Sequence, residues 1–225
     1  MKKLISIALA LLLVFSFAAC GGQKEEPRNE AAGGYTVPEK LTDSELAGDI
    51  AAVFEEVCKN SGRTLTPAAL LGTQVVAGTN YAFLCTENGK TSIAIIFEGL
   101  DGKKEISSVK ELDITAYAGK DTEADNELLE GGFAVTEAVT ANKIDEQAQK
   151  ALDTALEGLV GMNYEAVALL GTKVVSGTNY AILCKGTPVT PDAVSALYIV
   201  TVYAGLDGKA EISSTAALNL ADFTA

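Results

Sequence analysis

The seventeen residues from Ala69 to Cys85, ALLGTQVVAGTNYAFLC, return from Ala168 to Cys184 as ALLGTKVVSGTNYAILC, with fourteen positions identical. An internal repeat constrains a fold more than any local pattern, because two copies of one sequence have to make two copies of one structure. The match extends outward. Gly33-Gly34-Tyr35-Thr36-Val37 answers to Gly131-Gly132-Phe133-Ala134-Val135, Gly99-Leu100-Asp101-Gly102-Lys103 to Gly205-Leu206-Asp207-Gly208-Lys209, and LDITAY from Leu112 to LNLADF from Leu218. Between the central motif and the Gly-Leu-Asp-Gly turn the second copy is seven residues longer, around Gly186 to Ala193, where two prolines predict a surface loop. Each unit has roughly 90 residues, a size typical of domains. A solenoid needs about three repeats or more. The expectation is two tandem globular domains.

Both units read in the same order. In the first, Thr42-Asp43-Ser44-Glu45 has the form of a capping box, and Leu46, Ile50, Val53, Phe54, Val57 and Cys58 recur at helical spacing until Asn60-Ser61-Gly62. In the second, Ile144, Ala148, Ala151, Leu152, Ala155 and Leu156 form the matching face, lighter because alanine replaces larger residues. Strands are predicted over Ala69–Val76 and Thr79–Cys85 around Ala77-Gly78, then Thr91–Phe97 and Lys104–Tyr117 around Leu100-Asp101-Gly102, Asp-Gly being a strong turn signal. One helix followed by four antiparallel strands makes an α+β unit with the helix on one sheet face.

The chain opens with what looks like an address. Met1-Lys2-Lys3 is positive, and Leu4 to Ala19 is an apolar run interrupted by two serines, the pattern of a secretory signal and short for a membrane span. Phe17-Ala18-Ala19-Cys20-Gly21 resembles a bacterial lipobox. That resemblance implies cleavage before Cys20, an acyl lipid such as palmitate on its sulfur, and an exported protein anchored to the cell membrane. The next residues, to Gly34, are rich in Gly, Glu and Lys, as a flexible tether would be. The expected layout is a signal over 1–19, a tether over 20–33, the first domain over 34–118, an acidic linker over 119–130 and the second domain over 131–225.

Charge and composition narrow the chemistry. Seventeen basic residues less Lys2 and Lys3 leave fifteen against thirty acids, a net charge of −15 without the signal. Such a chain repels phosphate backbones, so no nucleic-acid partner is expected. There is no histidine, which removes histidine triads, histidine general bases and most zinc sites. No acidic pair lies in an apolar run that would tune its pKa. No catalytic residue, metal or cofactor is expected, and the chain is not read as an enzyme. With Cys20 assigned to lipid, Cys58, Cys85 and Cys184 stand at apolar positions and behave as small core residues. Alternation puts Tyr81, Phe83 and Cys85 on one sheet face, leaving both a Cys58–Cys85 bridge and free thiols open.

Gln74-Val75-Val76-Ala77-Gly78-Thr79-Asn80-Tyr81 is similar to the QxVxG hairpin of cystatins and stefins, and the order around it (glycine segment, helix, hairpin, hairpin) runs through the whole unit, twice. The resemblance implies two tandem cystatin-like domains, each a helix on a four- or five-stranded antiparallel sheet, the segment around Gly33–Val37 and its counterpart adding a short first strand. It further implies reversible inhibition of papain-like cysteine proteases by a wedge of Gly34, Gln74, Val75, Val76, Ala77 and Gly78 in the first copy. The second copy supplies Gly132, Val174, Val175, Ser176 and Gly177, with Lys173 replacing the glutamine. In both copies Leu-Asp-Gly stands where cystatins carry Pro-Trp or Leu-Pro, removing an aromatic contact and adding a negative charge. On this pattern the first wedge is the better inhibitor, and the second, facing the linker, is partly hidden by the first domain. The other reading is an envelope interaction module that keeps only the fold.

Overall fold

The computed structural model describes residues 34–39, 41, 48–117, 133–135 and 144–225. The expected signal segment, Cys20, the tether, the acidic linker, the Thr42–Glu45 box, Leu46 and Gly132 lie outside the described residues.

Each repeat folds into a helix and an antiparallel sheet, an α+β arrangement made twice. In the first unit α1 (Gly48–Ser61) is followed by β1 (Leu65–Val76), β2 (Gly78–Glu87), β3 (Lys90–Gly99) and β4 (Lys104–Glu111), paired in chain order. In the second, β5 (Ala134–Val135) precedes α2 (Glu146–Leu156), and β6 (Met162–Val174), β7 (Gly177–Pro188), β8 (Ala196–Gly205) and β9 (Ala210–Ala217) complete a sheet in which β5 flanks β6. The first unit has the counterpart of β5 as a single bridge, Thr36 pairing with Thr73 through two backbone hydrogen bonds.

The helices form where the apolar spacing places them. Val53, Phe54 and Val57 are buried against Phe83, Cys85, Ala94 and Ile96, with the Phe54 and Phe83 rings edge to face at 4.9 Å. On α2 the buried residues are Ala148, Ala151 and Leu152, so the lighter face foreseen from the alanines is present. Asp145 caps α2 by accepting the Ala148 N–H. Tyr81, Phe83 and Cys85 do share the helix-facing side, and Cys58, Cys85 and Cys184 are free thiols, which closes the disulfide alternative. Burial raises the Cys58 thiol and pushes those of Cys85 and Cys184 up to about 12, so all three stay protonated at neutral pH.

Several boundaries differ from expectation. The strands of the first hairpin extend further, β1 beginning at Leu65 and β2 ending at Glu87. The last strand stops at Glu111, because Asp113 accepts the Thr115 N–H and turns the chain into a 3-10 turn over Ile114–Ala116. Asn219 does the same ahead of Leu220–Phe223. In the second copy part of the extra length continues β7 to Pro188 before the loop begins.

The sheet faces away from the helices do not face water. Ala69, Leu71, Ala82, Leu84 and Ile93 of the first unit form one buried cluster with Ala168, Leu170, Ala181, Leu183 and Ile199 of the second. The described residues therefore make four layers, helix, sheet, sheet, helix, with the largest core among them shared between the repeats. The 3-10 turns lock the layers reciprocally. A Cβ on Gly72 would lie 2.8 Å from Leu220, and one on Gly171 3.5 Å from Ile114, its counterpart. Such exchange of matching contacts is what an internal two-fold produces. Ser108 donates to the Phe223 carbonyl, and Lys110 Nζ to the carbonyls of Asp222 and Thr224 at 2.9 and 2.8 Å. The buried Lys185 ammonium donates to the carbonyl of Glu39, tying the first unit's leading segment to β7.

Candidate binding site

Strand direction decides which turns share an end of each unit. Val76 pairs with Gly78, Gly78 with Gly99, and Glu98 with Lys104, so the Ala77 turn and the Leu100–Lys103 turn lie side by side. Thr36 pairs antiparallel with Thr73, and continuing that register by two residues puts the exposed Gly34 beside Val75. The first-copy residues singled out from the sequence are thus brought together. In the second copy Val174, Val175, Ser176 and Gly177 occupy the same positions next to Leu206–Lys209.

The hairpin is held by contacts within and beneath it. The Asn80 amide donates to Gln74 Oε1 at 2.8 Å across the strand pair, and Asn80 is itself buried. At Gly78 the backbone has φ +149°, and a Cβ would stand 2.2 Å from the Glu98 carbonyl oxygen and 2.7 Å from the Phe97 ring. At Gly177 the corresponding distances are 2.3 Å to the Ala204 oxygen and 2.8 Å to Tyr203. Both glycines are therefore required by the neighbouring strand's carbonyl oxygen and by the aromatic ring lying under the turn. Tyr203 adds a bond that Phe97 cannot make, donating its hydroxyl to the Ser176 carbonyl at 3.2 Å.

The second turn is built identically in both units. Gly99 donates to the Lys103 carbonyl at 2.8 Å, and Gly102 takes φ +78°. The Asp101 carboxylate accepts the Lys103 N–H at 3.1 Å and meets Lys103 Nζ at 3.0 Å. Those Lys103 contacts hold its carboxyl below the usual range. Asp207 and Lys209 repeat every contact. The acid expected to add a negative charge to the wedge is present there, fastened to its own turn and paired with a neighbouring ammonium.

Beside these charged groups the turns leave apolar side chains in water. Val75 is 78% exposed and Leu100 90%; Val174 is 75% and Leu206 90%. The two leucines were missed as site residues by sequence reasoning, which took the Leu-Asp-Gly turn as a loss; the signal was the leucine preceding Asp-Gly in both copies. The expected concealment of the second wedge does not occur at these residues. A cleft of about 470 Å³ opens beside the second turn, lined by Tyr203, Leu206, Asp207, Lys209 and Glu211. Among the described residues no group of His, Cys, Asp and Glu is placed to hold a metal, and no helix is long and apolar enough to cross a membrane. No protein-family model matches the chain, and no curated protein matches it either.

Proposed function

We propose that the chain is an exported, lipid-anchored binding protein, with Cys20 as the anchor, whose first unit plugs the cleft of a papain-like cysteine protease reversibly. The observation that carries it is the pair Val75 and Leu100, held in water on adjacent fixed turns at the end that also bears Gly34. Burying a valine and a leucine in a partner's cleft is worth about 1.5–3 kcal/mol each. Turns fixed by internal bonds lose little further entropy on binding. The likeness of Gln74–Tyr81 to the cystatin hairpin, and of the helix-plus-sheet order to a cystatin-like unit, supplies the protease as the occupant. Val76 and Gly78 are paired with each other, so the hairpin offers contact without presenting an extended peptide bond for attack.

One observation favours the second reading, a non-inhibitory envelope interaction module. The close approach of the neighbouring strand, with the Glu98 and Ala204 carbonyl oxygens and the Phe97 and Tyr203 rings, accounts for the glycine of the hairpin without any partner. Titrating papain activity with the full chain in detergent decides between them. Inhibition at micromolar concentration, lost in Val75→Glu with Leu100→Glu, supports the protease; undiminished activity at 100-fold excess of the chain rules it out. The anchor is tested separately, since Cys20→Ser moves the protein from the membrane to the soluble fraction if Cys20 carries the lipid.

A further inference from the structure

We infer that the cleft beside the Leu206 turn takes an arginine side chain of a partner's peptide segment, its guanidinium stacked on the Tyr203 ring and paired with Glu211. The inference stands on these residues alone and is independent of the protease reading.

The ring is laid out to receive a flat ligand. Tyr203 pairs with Asn179 on one side and Glu211 on the other, and Gly177 pairs with Gly205 two residues nearer the turn. Side chains two residues apart on a strand share a face, and the ring leans over that glycine pair. A Cβ on Gly177 would meet its Cε2 at 2.8 Å, and one on Gly205 its Cε1 at 3.6 Å. Past the glycines the hydroxyl donates to the Ser176 carbonyl at 3.2 Å. With its length along the strands and its width across them, the ring lies flat on the sheet, one face down on the glycines. Tyr203 belongs to none of the three cores, so the other face looks into the cleft of about 470 Å³ that it lines.

Charge selects the ligand. Glu211 stands directly opposite Tyr203, so the two side chains leave the same sheet face with Cβ atoms about 5 Å apart. It is exposed and, among the described residues, holds no ion pair. Lys209, the cleft's cation, is held 3.0 Å from Asp207, which leaves the lining one carboxylate in excess. A cation is attracted to an aromatic face. A guanidinium meets this site best, being planar enough to stack while its edge bonds a carboxylate. Leu206, 90% exposed on the rim, suits an apolar residue next to the arginine in a peptide. The first unit serves as an internal control. Phe97 lies over Gly78 and Gly99 opposite Glu105, but it has no hydroxyl to fasten its tip. Lys104, next to Glu105, also adds a cation there, where the second unit has the Ala210 that lines the cleft. Arginine should therefore prefer the second end.

Nuclear magnetic resonance of the full chain in detergent, titrated with the acetylated and amidated tripeptide Ala-Arg-Leu, reads the site. The peptide should shift the Tyr203 ring and the Gly205 and Glu211 amides. Its citrulline analogue, planar but neutral, should bind about fivefold more weakly or worse. Glu211→Gln should weaken the arginine peptide by about two- to fivefold, and Tyr203→Leu by about as much. Tyr203→Phe keeps the ring and should lose less than Tyr203→Leu. Glu211 is exposed, so Glu211→Gln should leave the thermal melt in place and keeps the test readable if Tyr203→Leu disturbs the turn. Equal binding of the citrulline or the lysine analogue overturns the guanidinium. Free arginine binding as tightly as the tripeptide overturns a peptide segment as the occupant. Shifts confined to the Phe97 end, or none at all, overturn the site.

Discussion

Gly78→Ala puts a methyl carbon 2.2 Å from the Glu98 carbonyl oxygen and 2.7 and 2.9 Å from two Phe97 ring carbons. Carbon and oxygen in contact need about 3.3 Å, so β3 and the hairpin must part by about 1 Å. Overpacking of that kind costs about 1–3 kcal/mol, and a non-glycine residue at φ +149° adds about 1 kcal/mol or more. A total near 3 kcal/mol lowers the melting temperature of a chain this size by about 6–12 °C. Gly177→Ala meets the Ala204 oxygen at 2.3 Å but carries no positive φ, so its loss should be the smaller. Val75→Glu, on an exposed side chain, should leave the melt where it was. Circular dichroism melts of the three variants read the order directly. If both alanine variants melt within about 2 °C of the parent, the close approach does not dictate the glycines and their place in the hairpin has to be sought in a partner.

Because the largest core is shared, Leu84→Ala and Leu183→Ala should each cost about 2–5 kcal/mol and keep a single unfolding transition; two separate transitions would show that the repeats fold independently. A protease site placed within residues 119–130 should, once cut, leave both halves in one peak on size exclusion, and their separation in native buffer would refute the shared core. The Cys85 and Cys184 thiols are raised to about 12 in the folded chain, from 9.0 when unperturbed. The unfolded chain therefore releases those protons first, and stability, complete below about pH 9, should fall as pH rises toward 12. At pH 10.5 the loss is on the order of 2 kcal/mol per thiol, visible as a lower urea midpoint; Cys→Ala at both positions should flatten that slope. Lys185→Met removes the donor to the Glu39 carbonyl and should speed amide exchange over Tyr35–Glu39 without changing exchange in β2, while unchanged exchange would mean the bond does not hold the segment.

Much of each unit was legible because its signals are local. Helical spacing fixed the buried faces at Val53, Phe54 and Val57 and at Ala148 and Leu152, and Asp-Gly placed the second hairpin. Strand ends were less legible: Asp113 caps a 3-10 turn, yet the residues around it keep an apolar alternation that reads as strand. The hairpin residues of the candidate site were placed from the repeat, but their exposure was not. Leu100 and Leu206 precede Asp-Gly in both copies, but that spacing marks the turn and not whether the leucine packs against a neighbour.

Sequence by itself determined that the chain contains two copies of one helix-and-sheet unit, where its turns fall, and which residues face its helices. All of these follow from periodicity and turn chemistry over a few neighbouring residues. Only the tertiary structure decided what covers the other side of each sheet. There was a trace of it in the continuous apolar run Ile93-Ala94-Ile95-Ile96, which a sheet with one wet face does not need. Such a run says that both faces are buried and does not say against what. The partner proved to be the other repeat, because burying two apolar sheet faces against each other removes both from water at once. The same packing ends short of the Val-x-x-Gly and Leu-Asp-Gly turns, and so leaves Val75, Leu100, Val174 and Leu206 in water.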